Sequence, residues 1–138
     1  MYIGIQFGAF AALLLTGPWL ASHPLLLVAE AAGICLGGWA VAVMGMGNFH
    51  ISPTIVPGGR FVARGPYRWI RHPMYSALLI VAASLVLDRL TAVRVLLFAI
   101  LAIDLVLKLS FEERLLVQAF RNYPDYRRRT KRIIPFLF

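Results

Sequence analysis

Acidic residues are scarce in this chain. Six Asp and Glu stand against 14 Lys and Arg, and charged residues of either sign fill only 14% of 138 positions. A water-soluble domain carries about a quarter of its residues as charges, so an ordinary soluble surface is excluded. Cysteine occurs once, at Cys35. That excludes an intramolecular disulfide and any cysteine-based metal site, and inside an apolar run Cys35 reads as a small packing residue. Internal repeats, low-complexity tracts and any mark of a second domain are missing too, so residues 1–138 read as a single membrane domain. What is present instead is apolar: 60% of the chain is hydrophobic, and the mean hydropathy is +0.77.

The apolar residues gather into runs at about 2–20, 24–46, 72–87 and 91–110. Roughly 20 apolar residues cross a hydrocarbon core of about 30 Å. The expected fold is therefore all-α: an integral membrane bundle of about four transmembrane helices, the third of them short, with a cytoplasmic loop 47–71 and a cytoplasmic C-terminal segment 111–138. No Lys or Arg precedes the first run, which reads as a retained helix rather than a secretion signal.

The net charge of +8 could suggest nucleic acid, but its placement argues for lipid. Four basic residues (Arg60, Arg64, Arg68, Arg71) lie in the 47–71 connection and seven lie beyond Phe111, all on one side of a four-helix topology. The positive-inside rule places that side, and both termini, in the cytoplasm. A basic tail beside anionic lipid explains the charge, and no nucleic-acid partner is expected.

Two features of the second run stand out. Ala29, Gly33, Gly37, Val41 and Gly45 recur every four residues, a small-residue stripe that lets helix backbones approach closely, within the bundle or in a homo-oligomer. Glu30 is an ionisable group inside an apolar helix, where charges are costly and often functional. Pairing with Arg94 is its expected structural role. His23 and His50 are isolated and read as structural.

The stretch "GPYRWIRHPMY", residues 65–75, packs Arg68, Arg71, His72, Pro73 and Tyr75 ahead of an apolar segment. Pro73 suits the first turn of a helix, and the residue before a proline is pushed out of the helical region. A helix should start at His72–Pro73, its free N–H groups facing the cytoplasmic interface as a site for a carboxylate or phosphate. The tight "LDRLTA" connection makes the third and fourth helices an antiparallel hairpin, bringing position 72 level with about 109 and 75 with about 106. His72, Tyr75, Lys108, Glu112 and Glu113 should then meet. The plainer expectation for the charges is local pairing, Asp104 with Lys108 and Lys108 with Glu112. Beyond them, "RNYPDYRRRTKRIIPF" restarts a short helix at Pro124, with Tyr123 and Tyr126 among arginines.

"GPYRWIRHPMY", the hydrophobic hairpin, and then Glu112–Glu113 with Leu116, Phe120, Tyr123, Tyr126, Arg132 and Pro135 at their spacings together resemble the isoprenylcysteine carboxyl methyltransferase and phospholipid methyltransferase superfamily of integral-membrane enzymes. The resemblance covers about residues 45–135. Arg121 departs from it, standing where family members commonly have glycine. It implies an S-adenosylmethionine-dependent methyltransferase that releases S-adenosylhomocysteine. It also implies a donor pocket lined by His72, Pro73, Tyr75, Glu112, Glu113, Tyr126 and a tail arginine, assigned to Arg129.

Methyl transfer from a sulfonium needs no metal and no covalent enzyme intermediate; positioning, water exclusion and electrostatics suffice. A lipophilic acceptor would enter from the bilayer. If it presents an isoprenylcysteine-like carboxylate, Arg68 or Arg71 is the expected cation; if it presents a phospholipid amine or a small thiol, His72 is the candidate base, with a structural role at the helix start as the alternative. Arg71 and His72 are thus the catalytic candidates. Two other classes fit the gross features: a small four-helix multidrug-type exporter with Glu30 at its core, and a non-catalytic anchor subunit.

Overall fold

The computed structural model describes residues 2–45, 62–135 and 137–138. His50, Arg60 and most of the expected 47–71 loop lie outside the described residues. Among the described residues there are five helices and no strand: α1 Tyr2–Leu15, α2 Pro24–Met44, α3 Pro73–Asp88, α4 Ala92–Ala119 and α5 Tyr123–Arg129. A 3-10 turn, Gly65–Arg68, leads into α3.

The helix ends follow local chemistry. α1 stops at Leu15, five residues short of the apolar run's end, because Pro18 disfavours helical backbone at Gly17 and the Thr16 hydroxyl donates back to Ala12 O at 2.7 Å. α2 begins with a proline in its first turn, as expected, and closes at Gly45, whose φ of 76° suits glycine. The Thr91 hydroxyl caps α4 by accepting from Arg94 N at 3.3 Å. α4 then runs nine residues past the expected end at 110, since no Gly or Pro interrupts residues 92–119. The acidic pair therefore rides on a continuous extension of α4. After it, the turn at Arg121 closes without glycine, through Tyr123 N–H to Phe120 O at 3.0 Å.

Among the described residues, α2 is the helix long and apolar enough to cross a membrane, while α1 and α3 are apolar but shorter. α4 has the length, at 28 residues, but carries Arg94, Asp104, Lys108, Glu112 and Glu113. Exposed Leu25, Val28, Ile34 and Trp39 on α2 form the kind of apolar surface that lipid accepts and water does not.

Packing pairs α1 with α4 and α2 with α3, and joins the two pairs mainly through α3 and α4. The core where α1, α3 and α4 meet holds Ala9, Leu13, Ala82, Val86, Leu101 and Leu105. The small-residue stripe is used within the chain. A Cβ on Gly33 would lie 3.0 Å from Val81 Cγ2 and 3.1 Å from Ala77 O, and one on Gly37 would lie 3.3 Å from the Ala77 Cβ. Close approach of α2 to α3 thus depends on these glycines.

At the end of the molecule away from α5, the expected Glu30–Arg94 pair does not form. Arg94 is fully buried and donates to Leu13 O at 2.9 Å and Leu85 O at 2.7 Å, satisfying carbonyls near the ends of α1 and α3. Glu30 instead accepts from Ala21 N–H at 2.9 Å. Backbone acceptors exposed by the early end of α1 lie within reach of the guanidinium, and that local need takes precedence over the ion pair. Asp88 ties the two connections at this end together, accepting from Ser22 N–H at 2.8 Å and His23 N–H at 2.9 Å.

Candidate functional site

The C-terminal segment folds back onto the start of α3. Ile70 pairs with Lys131 in a parallel bridge. Arg71 N–H donates to Lys131 O at 2.7 Å, His72 N–H to Arg132 O at 3.0 Å, and the Ser76 hydroxyl to Ile133 O at 2.6 Å. At the helix start expected to be open to an anion, the His72 N–H is thus taken by the chain's own tail, and the Tyr75 N–H donates to His72 O at 3.1 Å. Tyr126, buried, donates its hydroxyl to Tyr67 O at 2.6 Å and so holds α5 against the 3-10 turn.

Around this seam the two motif stretches meet. Glu113, 2% exposed, accepts from Arg71 Nε at 2.6 Å; its carboxylate also lies 3.3 Å from Arg132, 3.4 Å from His72 Nε2 and 3.8 Å from Arg127. Burial alone would push the Glu113 carboxyl up, but the His72 imidazole and Arg71 guanidinium outweigh it and hold the group down to about 2. Arg71 also donates through Nη1 to Arg127 O at 3.0 Å and to Thr130 O, the last carbonyls of α5. Its charge there suits the negative end of a helix.

One face of the cluster opens into a cavity. His72 and Tyr75 stack with ring centroids 5.4 Å apart and planes 4° from parallel, and the Tyr75 hydroxyl donates to Glu112 Oε1 at 2.6 Å. Burial pushes the Glu112 carboxyl up, while the Tyr75 hydrogen bond and the neighbouring His72 and Lys108 pull it back. Lys108 donates to Gln6 Oε1 at 3.1 Å and sits 5.1 Å from the Tyr75 ring centroid. The expected local pairs are absent: within 4 Å Lys108 forms no ion pair with Asp104 or Glu112, because its side chain turns toward α1.

The cavity has a volume of about 710 Å³ and lies between the α1–α4 and α2–α3 pairs. Arg71, His72, Tyr75, Lys108 and Glu112 line one end, Glu30 and Leu85 line the other, and apolar side chains of α1, α2 and α3 line the middle. Pro73 and Leu85, 12 residues apart on α3, bound a reach of about 18 Å at helical rise.

The predicted site residues divide accordingly. His72, Pro73, Tyr75, Glu112 and Glu113 come together, somewhat further along α4 than the expected register, with the Tyr75 hydroxyl on Glu112; Glu113, expected to line the donor pocket, lies behind His72 and does not line the cavity. Arg71 joins them, held in place by Glu113 and the end of α5. Arg129 does not: it is exposed and its guanidinium donates to Asp125 O of its own helix at 3.3 Å, whereas Arg127 and Arg132 flank Glu113. Arg68 is also exposed, its guanidinium 5.3 Å from the Trp69 ring centroid. Tyr126 supports the seam and does not line the cavity. Sequence reasoning missed Gln6, whose one signal was an amide in an otherwise apolar first run.

The polar end fits S-adenosylmethionine, the donor implied by the resemblance. Glu112 offers a carboxylate for an ammonium or ribose hydroxyls, and the His72–Tyr75 stack offers a flat wall for a purine. His72 Nε2 is buried without a hydrogen-bond partner among the described residues. The family model described as the isoprenylcysteine carboxyl methyltransferase family matches residues 23–118, which takes in α2, α3 and nearly all of α4. No curated protein and no solved structure matches the chain.

Proposed function

The chain belongs to the isoprenylcysteine carboxyl methyltransferase family, a family of membrane methyltransferases, and on that premise we propose that it methylates the carboxylate of an isoprenylcysteine-like lipophilic acceptor with S-adenosylmethionine as donor. The observation that carries the reading is a cavity with an apolar middle, whose polar end is built by both motif stretches. The donor, when bound, supplies an electrophilic methyl on a sulfonium sulfur. His72, Pro73, Tyr75 and Glu112 would hold it at the polar end, with Glu113 and Arg71 fixing the seam behind them.

The residues contribute position and dryness. A carboxylate acceptor is already a nucleophile, so no side chain has to remove a proton, and His72 is left to orient Tyr75 and Glu113. Apolar walls exclude water from the reacting groups, which strengthens every electrostatic contact there. The gap between the α1–α4 and α2–α3 pairs gives a lipid-borne acceptor a sideways entrance. The arrangement proposed in the membrane is four spans, α1 to α3 and α4 as far as about residue 110, with both termini, the Glu112–Glu113 extension of α4, α5 and the donor end in the cytoplasm.

Isothermal titration of the protein in lipid nanodiscs with S-adenosylhomocysteine tests the donor site. Saturable binding that is lost in His72→Ala and Glu112→Ala supports the reading; absence of binding by the folded native protein overturns it. Radiolabelled transfer to an S-prenylated cysteine, a phosphatidylethanolamine and a small alkyl thiol then separates carboxylate, amine and thiol acceptors.

A further inference from the structure

The proposed chemistry leaves one buried cation without a task. Lys108 is 1% exposed, yet it lines the cavity where the apolar walls give way to the polar end. An ammonium carries three N–H donors. Among the described residues its one hydrogen bond runs to Gln6, itself a cavity residue, at 3.1 Å, and the ammonium also lies 5.1 Å from the centroid of the Tyr75 ring. A desolvated charge so sparsely bonded is costly, and an anion arriving beside it would offset that cost.

The other candidate cations are less free. Arg71 commits Nε to Glu113 and Nη1 to the carbonyls ending α5, and Arg68 is exposed beside Trp69 and does not line the cavity. Asp104 and Glu112 both stand near the ammonium, but neither carboxylate pairs with it within 4 Å, and Glu112 Oε1 already accepts from Tyr75. Lys108 also faces α1 and the apolar reach, the side from which an acceptor comes, whereas the tail arginines lie behind Glu113.

We infer that Lys108, assisted by Gln6, is the specificity-determining residue that receives the acceptor's carboxylate, and that it selects free acid over ester. The inference rests on the carboxyl methyltransferase reading and deepens it. A neutral methyl ester loses the charge-assisted hydrogen bond, so the product leaves where the acid is held.

The test uses the full-length protein in nanodiscs, S-adenosylhomocysteine as donor-site probe, and N-acetyl-S-farnesylcysteine with its methyl ester as acceptor-site probes. Native protein should bind the acid roughly 10- to 100-fold more tightly than the ester, the value of one hydrogen bond to a charged group. Lys108→Gln should raise the acceptor KM by a similar factor with kcat less affected, and abolish the acid preference. Lys108→Arg should keep most of that preference, and S-adenosylhomocysteine affinity should be unchanged in both. A native protein that fails to bind S-adenosylhomocysteine overturns both readings. One that binds it but prefers acid no more than ester overturns the Lys108 assignment alone, and that comparison needs no variant. Equal losses of donor and acceptor affinity in a folded Lys108→Gln protein likewise overturn it, by assigning the lysine to the donor.

Discussion

Replacing Glu113 by glutamine should destabilise the protein even with no ligand present. The native carboxylate is buried, accepts from Arg71 at 2.6 Å and lies 3.3 Å from Arg132. Glutamine keeps the shape and removes the charge, leaving Arg71 buried opposite a neutral amide. Removing one partner of a buried ion pair costs about 3–5 kcal/mol. The depression of Glu113 from 4.5 to about 2 by the same contacts corresponds to about 3 kcal/mol at 1.36 kcal/mol per unit. A folded-state value below the unfolded one means that this stability is fully present above about pH 4.5 and is lost as pH falls toward 2. Thermal unfolding in detergent should show Glu113→Gln melting roughly 10 °C below native at pH 7. The gap should narrow as the native protein is acidified through that window. Equal melting temperatures at pH 7, or a gap that stays constant down to the acid end, would refute the assignment of Glu113 as the anion that fastens α4 to the seam.

A Cβ on Gly17 would overlap Arg94 Nη1, so Gly17→Ala should cost about 1–3 kcal/mol by displacing the guanidinium from its carbonyls, measured by thermal unfolding; Gly4→Ala, with nothing nearby, is the control. Gly33→Val should push α2 away from α3 and lower the melting temperature further than Cys35→Ala, which alters an exposed position. Ser76→Ala removes a buried 2.6 Å bond to Ile133 O, worth about 1 kcal/mol, and should speed amide exchange in residues 131–134 as the tail loosens. Among the tail arginines, Arg129→Ala should leave S-adenosylhomocysteine affinity within twofold of native, whereas Arg132→Ala should weaken it; the reverse order in titration would return the site to Arg129.

The sequence by itself determined the helical composition, because apolar runs bounded by Pro and Gly fix where helices can lie. It also determined the meeting of "RHPMY" with the acidic pair, because a connection as short as "LDRLTA", of which Arg89, Leu90 and Thr91 lie outside the helices, leaves two adjacent helices no alternative to an antiparallel hairpin. The extension of α4 to Ala119 was legible as well, in the absence of Gly and Pro, but the hydropathy pattern drew attention to the membrane run and away from it.

Partner choice was decided by the tertiary structure. Arg94 had a carboxylate in its own half of the molecule and took backbone carbonyls instead. Lys108 had acidic residues a turn away on either side and reached across to Gln6 on α1. Glu113 selected Arg132 and Arg127, not Arg129, because the short α5 and the bridge at Lys131 rotate those side chains toward it. In each case a long, flexible charged side chain can reach several partners, near or far in sequence. Desolvation ranks them, and desolvation depends on which surfaces the packed helices cover.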